Sequence, residues 1–393
     1  MFAGARFSPD MCPSCFSVLE TFSRCPVCDY PVRINEQHML PVGHILNDRY
    51  WIGHCLGQGG FGITYLAYDQ ATASRVAVKE HFANGLCVRR TFEVNPVASS
   101  MEDDFQKGKR RFYEEARNLS QFRDTPNIVS VLECFNANGT SYLVMPYYQG
   151  KTLLAYLQQC AGGRLPFEEA IQRLAPVMRA LNVVHSRGLV HRDVSPDNIF
   201  ITDEGMSILL DFGAARFAFS QKAEKTLVTK IVKDGYSPPE QYGGSGKKMS
   251  LCSDVYSMGA TLYKVLTGTR PPSPLERYLG EEVAPPGSKV DGIADYVDAA
   301  ILRALSLDPQ HRYESMGNFL SALEKQEVEC CASQEDKAPK GTPKDEDKPP
   351  SSAVKPTGER GAHVFFRYLP HMLLAAGLAL LLAAFFLWQQ SNH

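Results

Sequence analysis

Four short motifs, far apart but in a telling order, constrain this chain of 393 residues more than any other feature. They are Gly57-Gln-Gly59-Gly-Phe-Gly62, Val76-Ala77-Val78-Lys79, His191-Arg192-Asp193-Val-Ser-Pro-Asp-Asn198 and Asp211-Phe212-Gly213. A glycine-rich hairpin lets backbone amides approach phosphate oxygens with no Cβ in the way. Alone it is ambiguous, since GxGxxG also marks dinucleotide folds and plain flexible turns. The β-branched run ending in Lys79 reads as a strand, and Arg111-Phe-Tyr-Glu-Glu115-Ala-Arg-Asn-Leu119 as a helix from which Glu115 could pair with that lysine. Singly, Lys79 reads as a surface lysine and Glu115 as a solvated helix residue. In this order they read as a phosphate-orienting ion pair.

With these motifs the chain resembles the eukaryotic-like serine/threonine protein kinases over about 280 residues. The resemblance implies an α+β, bilobal fold: a small, mainly β lobe with a five-stranded antiparallel sheet and one main helix, over a large, mainly α lobe. ATP and magnesium would occupy the cleft. Gly57, Gly59 and Gly62 would cover the phosphates, Lys79 would hold the α/β-phosphates and be locked by Glu115, and Asp193 would accept or orient the proton of a protein substrate's hydroxyl. Asn198 and Asp211 would supply oxygen ligands to magnesium. Ala77 would lie over the adenine, and Pro146 to Tyr148, with Tyr147 at the centre, would form the hinge that hydrogen-bonds the base. Met145 matches the gatekeeper position, where simple core packing is an equal reading. Glu240 in Ser237-Pro-Pro-Glu240 and Arg312 match a structural ion pair, and Asp254 the brace of the catalytic loop.

Departures matter as much. The serine/threonine members usually place a lysine two residues after the catalytic aspartate, where it contacts the γ-phosphate; this chain has Ser195. That weakens the expectation of full activity and brings in a rival, a pseudokinase scaffold. Thr64 stands at the glycine-loop exit in place of the usual valine. The connection from His81 to Lys109, with Arg89, Arg90 and Glu102-Asp-Asp104, reads either as a solvated loop of alternating charge or as a docking insertion on the small lobe. Thr226 and Thr229, among Lys222, Lys225 and Lys230, are candidate phosphorylation sites whose phosphate could pair with Arg192.

Composition divides the chain into a cysteine-rich head (1–35), a kinase-like body (46–326), a polar tether (327–362) and an apolar tail (369–388). Cys12-Pro-Ser-Cys15 and Cys25-Pro-Val-Cys28 could set four thiolates around one zinc ion in a small ribbon, structural or protein-binding because no ligand position stays open. A second rival follows: a zinc-ribbon adaptor that binds partners. The tether, rich in lysine, acid, proline and serine, buries too little apolar surface to order itself. The tail, about 20 residues with an uncharged stretch from Met372 to Trp388, is long enough to span a bilayer as a helix. Arg360 and Arg367 precede it and no lysine or arginine follows, which orients the body to the cytoplasm as a single-pass membrane protein. Gly377 permits a homodimer through close helix approach without requiring one. A net charge of −2 gives no reason to expect a nucleic-acid partner, and no secretory signal is apparent at the N-terminus.

Overall fold

The computed structural model describes residues 11–19, 23–31, 35–212, 232–242 and 249–324. The chain divides into a unit Met1–Ser333 and a unit Gln334–His393, and every described residue belongs to the first. The tether, the apolar tail, Gly213, Thr226 and Thr229 lie outside the described residues. Among those described, no helix is long and apolar enough to cross a membrane.

The first lobe is an antiparallel sheet of six strands in the order β1-β2-β3-β4-β8-β7: β1 Ile45–Leu46, β2 Tyr50–Gln58, β3 Gly62–Asp69, β4 Ser74–His81, β7 Glu133–Ala137 and β8 Thr140–Pro146. Five strands were expected; the sixth is the two-residue β1, too short to show a period in sequence. Helix α1, Glu102–Leu119, packs on the sheet through Phe105, Phe112, Ala116 and Leu119. The acidic Glu102-Asp103-Asp104 forms its first turn, where the helix dipole favours negative charge.

The expectation of a solvated loop between Lys79 and Glu115 is corrected. Cys87–Arg90 (β5) and Glu93–Pro96 (β6) pair as an antiparallel hairpin, and Cys87 and Val94 join the lobe's core. Arg89 turns inward, donating to Glu80 Oε2 at 2.5 Å, to His38 O at 2.9 Å and to Phe92 O at 2.8 Å. Glu80, fully buried, also accepts from Tyr65 (2.9 Å) and Tyr142 (2.6 Å). A buried carboxylate needs such complete partnering.

The second lobe begins with β9 (Gly150–Thr152) and α2 (Leu153–Leu157) and rests on α3 (Phe167–Ser186). Strand β9 pairs with β10 (Ile199–Thr202), which pairs with β11 (Ser207–Leu209), and this small sheet carries the catalytic segment on its flank. Helix α4, Leu251–Thr267, runs through the core, buried from Ser253 to Tyr263, and stops at Gly268 in the left-handed conformation (φ 76°). Helices α5 (Pro274–Tyr278), α6 (Asp295–Ala304) and α7 (Met316–Glu324) complete the lobe. The expected Glu240–Arg312 pair is present and buried, at 2.8 and 3.1 Å.

Candidate active site and metal centre

Side chains alternate along β4, so Lys79 faces the cavity beneath the glycine hairpin while Glu80 turns into the buried network. That cavity, about 450 Å³, is lined by Gly57, Gly59, Gly62, Lys79, Glu115, Asp193, Asn198 and Asp211 among others. The structure therefore brings together on one cavity the phosphate-handling residues named from sequence. A second cavity of about 340 Å³ continues it: Gly57, Thr64, Met145 and Thr152 line both, and the second adds Ala77, Pro146, Tyr147 and Tyr148. Met145 lines both cavities and also packs with Ala77, Val129 and Ile208.

The three glycines of the GxGxxG pattern divide in role. A Cβ at Gly62 would meet Glu80 O at 2.7 Å, so packing against β4 demands glycine there. At Gly57 and Gly59 a Cβ would meet no protein atom within 4 Å. Among the described residues nothing asks for glycine at those two, whereas an occupant close to the backbone would.

Lys79 Nζ lies 2.6 Å from Asp211 Oδ1. Asp211 holds φ at 48° and Arg192 at 71°, left-handed conformations that cost energy and concentrate at functional sites. Between them, Asn198 donates from Nδ2 to Asp193 O (2.7 Å) and Asp193 Oδ2 (2.5 Å), which leaves Oδ1 as the atom it can offer a cation. With Asp211 this makes a hard oxygen donor set on a cavity that also presents a lysine, and it fits magnesium held against phosphate.

The loop carrying Asp193 is fixed from below. Asp254, fully buried on α4, accepts from His191 N (2.7 Å), Arg192 N (2.8 Å) and His185 Nε2 (2.7 Å). Burial would raise its carboxyl, but the hydrogen bond and charge of His185, with His191, hold it below the usual carboxylate range. His191 donates from Nε2 to Leu210 O (2.9 Å) and accepts at Nδ1 from Asp193 N (3.3 Å), a neutral tautomer. Burial lowers its pKa against the pull of Asp254 and Asp193, so it stays neutral.

One residue went unnoticed in the sequence. Lys233 Nζ donates to Ser195 Oγ at 2.8 Å and lies 3.4 Å from Asp193 Oδ1. Its backbone is held in a turn, Lys233 N donating to Ser237 Oγ (3.0 Å) and Ser237 N to Lys233 O (2.9 Å). No local motif announces it, because its partners lie about 40 positions earlier in the chain.

In the head, the four sulfurs of Cys12, Cys15, Cys25 and Cys28 lie within 4.8 Å of one another. Cys12 and Cys28 are 3.7 Å apart and Cys15 and Cys25 3.6 Å, too far for disulfides. A tetrahedron with metal–sulfur bonds of about 2.3 Å has edges of about 3.8 Å, so the cluster has the dimensions of a zinc site. The two knuckles are built alike. Ser14 N and Val27 N each donate to the first cysteine's sulfur at 3.4 Å, and Phe16 and Asp29, which follow the second cysteines, both take positive φ (62° and 56°). Burial pushes the Cys12 thiol up to about 12. Cys25, also buried, is brought to about 6 by hydrogen bonds from Ser17 and backbone amides. The head packs on β2: the Phe16 ring meets Trp51 edge-on at 5.3 Å and Tyr68 at 5.5 Å.

Comparison with known proteins agrees with this geometry. The model of the protein kinase domain matches residues 50–282. Serine/threonine-protein kinase PknB of Mycobacterium leprae is 32% identical over 289 residues, covering 71% of this chain and 43% of that one. A probable serine/threonine-protein kinase of Clostridium perfringens is 31% identical over 293 residues, 72% of this chain and 39% of that one. This chain thus spans about two fifths of the length of these curated relatives. Among solved structures, the apo form of PpkA-294 superposes with a TM-score of 0.65 at 30% identity, covering 73% of this chain and 100% of that one. A cavity joining Lys79, Asp193, Asn198 and Asp211 beneath a glycine hairpin, and a family match over 59% of the length (233 of 393 residues), place this chain in the protein kinase family.

Proposed function

We propose that this protein is a serine/threonine protein kinase that transfers the γ-phosphoryl group of ATP to a protein hydroxyl at the cytoplasmic face of a membrane. The observation that carries the reading is the convergence of Lys79, Asp193, Asn198 and Asp211 on one cavity whose roof glycines serve no packing need at Gly57 and Gly59. Asp193 takes the proton of the incoming hydroxyl as its oxygen bonds to the γ-phosphorus. The bond to the bridging oxygen breaks, and its electron pair leaves on ADP. Asn198 and Asp211 would hold magnesium, which neutralises phosphate charge when bound. Lys79 would orient the α/β-phosphates with Glu115 as its partner, and Tyr147 and its hinge neighbours would hold the adenine in the second cavity.

We read the cysteine cluster as a structural zinc site on its dimensions and donor set. The uncharged stretch Met372–Trp388 and the arginines before it support a tail anchor with the kinase domain in the cytoplasm.

The test is intact mass of the full chain in detergent micelles after incubation with magnesium and ATP, beside the Asp211→Ala protein. Phosphate additions that grow with time in the parent alone are expected. Their absence in both, with nucleotide still bound, would replace the kinase reading by the scaffold reading that Ser195 suggests.

A further inference from the structure

We infer that Lys233 is a catalytic residue of this kinase: the cation that faces the transferring γ-phosphoryl group, which sequence position 195 lacks, is delivered from Lys233 with Ser195 as its holder. The inference rests on the kinase reading and adds to it a residue and a reason why Ser195 is compatible with turnover.

The geometry supports each part. Ser195 is fully buried and its short side chain ends in the Oγ that accepts from Lys233 Nζ at 2.8 Å. The same Nζ lies 3.4 Å from Asp193 Oδ1, and the other oxygen of that carboxylate accepts from Asn198 at 2.5 Å. Lys233 thus stands on the far side of Asp193 from the residue we assign to magnesium. Its side chain keeps 23% of its surface exposed while that of Asp193 keeps 3%, so the ammonium stands beside Asp193 without being sealed in the core. Its base is held in the turn closed by Ser237, and Gly235, at φ 81°, sits within that turn. Two contacts to a lysine that could reach bulk water indicate a position set by the site.

The chemistry needs a cation here. While the hydroxyl oxygen bonds to the γ-phosphorus and the bond to ADP breaks, negative charge spreads over the phosphoryl oxygens and a proton moves onto Asp193. Lys79 is drawn toward Asp211 at 2.6 Å, and the Asp193 side presents a second cation. Lys233 supplies it. It lies 3.4 Å from Asp193 Oδ1 and offers its ammonium to the phosphoryl oxygens as their charge grows. Ser195 fixes the ammonium by accepting one of its hydrogens, so positions 195 and 233 together carry what a single lysine at 195 would.

The test compares the full-length parent, Lys233→Met, and the exchange variant carrying both Ser195→Lys and Lys233→Ser, all in detergent micelles. Phosphate incorporation is followed by intact mass, affinities for ADP and for the β,γ-imido analogue of ATP by calorimetry, and folding by thermal melting. Lys233→Met is expected to lose about 100-fold or more in rate, and its preference for the imido analogue over ADP should fall several-fold while ADP affinity stays. The exchange variant should recover at least a tenth of the parental rate and the parental preference. A Lys233→Met protein within threefold of the parent, or an exchange variant that binds ADP normally but shows neither recovery, would overturn the inference. Should Lys233→Met fail to fold, the exchange variant decides alone. If the parent itself incorporates no phosphate, the kinase reading fails, and the preference for the imido analogue still decides whether Lys233 addresses the γ-phosphate.

Discussion

At the residue scale, Asp254 fastens the catalytic loop from outside it. Its carboxylate takes two backbone amides, those of His191 and Arg192, and the second belongs to a residue with a φ of 71°. Asp254→Ala would leave both amides and the His185 Nε2 without their acceptor in a fully buried site, a cost of about 3 kcal/mol. Phosphorylation rate should fall further than stability, because the loop that aims Asp193 loses its anchor. Urea unfolding and initial rates on one preparation would check both; equal, small losses would deny the brace its role. Asp254, Lys79, Asp193, Asn198 and Asp211 were legible because each stands in a contiguous motif whose chemistry restricts residue type. Lys233 was not, since its meaning lies in a contact with Ser195 and Asp193 made only after the chain folds back.

At the element scale, β4 places three consecutive residues in three environments: Lys79 on the cavity, Glu80 in the buried network, and His81 against Phe105 and Phe112 of α1. The hairpin β5–β6 reaches that network through Arg89. Arg89→Ala would leave a carboxylate buried with only two tyrosine hydroxyls, and we expect a loss of about 3–5 kcal/mol. A loss under 1 kcal/mol by chemical denaturation would return the segment to the solvated loop first expected. That expectation failed for a physical reason. Only four residues form each strand, charged residues interrupt both, and what buries Arg89 is Glu80, outside the segment.

His81 gives the same strand a pH signature. Burial, with Lys109 and Lys79 nearby, lowers its pKa from 6.5 to about 4, so the folded state keeps it neutral where the unfolded chain would protonate. Its contribution is therefore whole above pH 6.5 and lost progressively as pH falls from 6.5 toward 4, on the order of 3 kcal/mol in all. His44 and His191 are lowered as well, and Glu240 and Glu276, lowered from 4.5, add to the wild-type slope at its acid end. Asp69, held at about 2 by Arg49 and Thr72 against its burial, acts only below the ordinary carboxylate range and leaves this window clear. Substituting His81→Leu should flatten the part of the curve between pH 6.5 and 4 that His81 contributes. Parallel curves for the two proteins would show that His81 is not the group responsible.

At the scale of the whole molecule, the head and the small lobe are built as one packed body. Phe16, Trp51 and Leu66 form a shared cluster against which Tyr147 of the hinge also packs. The approach is close enough to dictate a residue: a Cβ at Gly53 would meet Pro13 O at 2.3 Å, and His54 N donates to that same carbonyl at 3.1 Å. The two CxxC pairs were readable from spacing, whereas this docking was not, because Gly53 and Trp51 carry no sign of a partner 40 residues away. Two perturbations separate the metal from the contact. With the cluster holding zinc as proposed, a selective chelator should release the knuckle that presents Phe16, and Gly53→Val should push the head off β2 while leaving its cysteines intact. Losing the Phe16 contact costs about 2 kcal/mol of buried aromatic surface, a drop of about 3 °C in melting temperature for a domain of this size. Both treatments should lower ADP affinity through the hinge cluster, and only the chelator should lower zinc content. A Gly53→Val protein with parental melting and affinity would mean that the head rides on the kinase domain without supporting it, and would favour a separate protein-binding task for the ribbon.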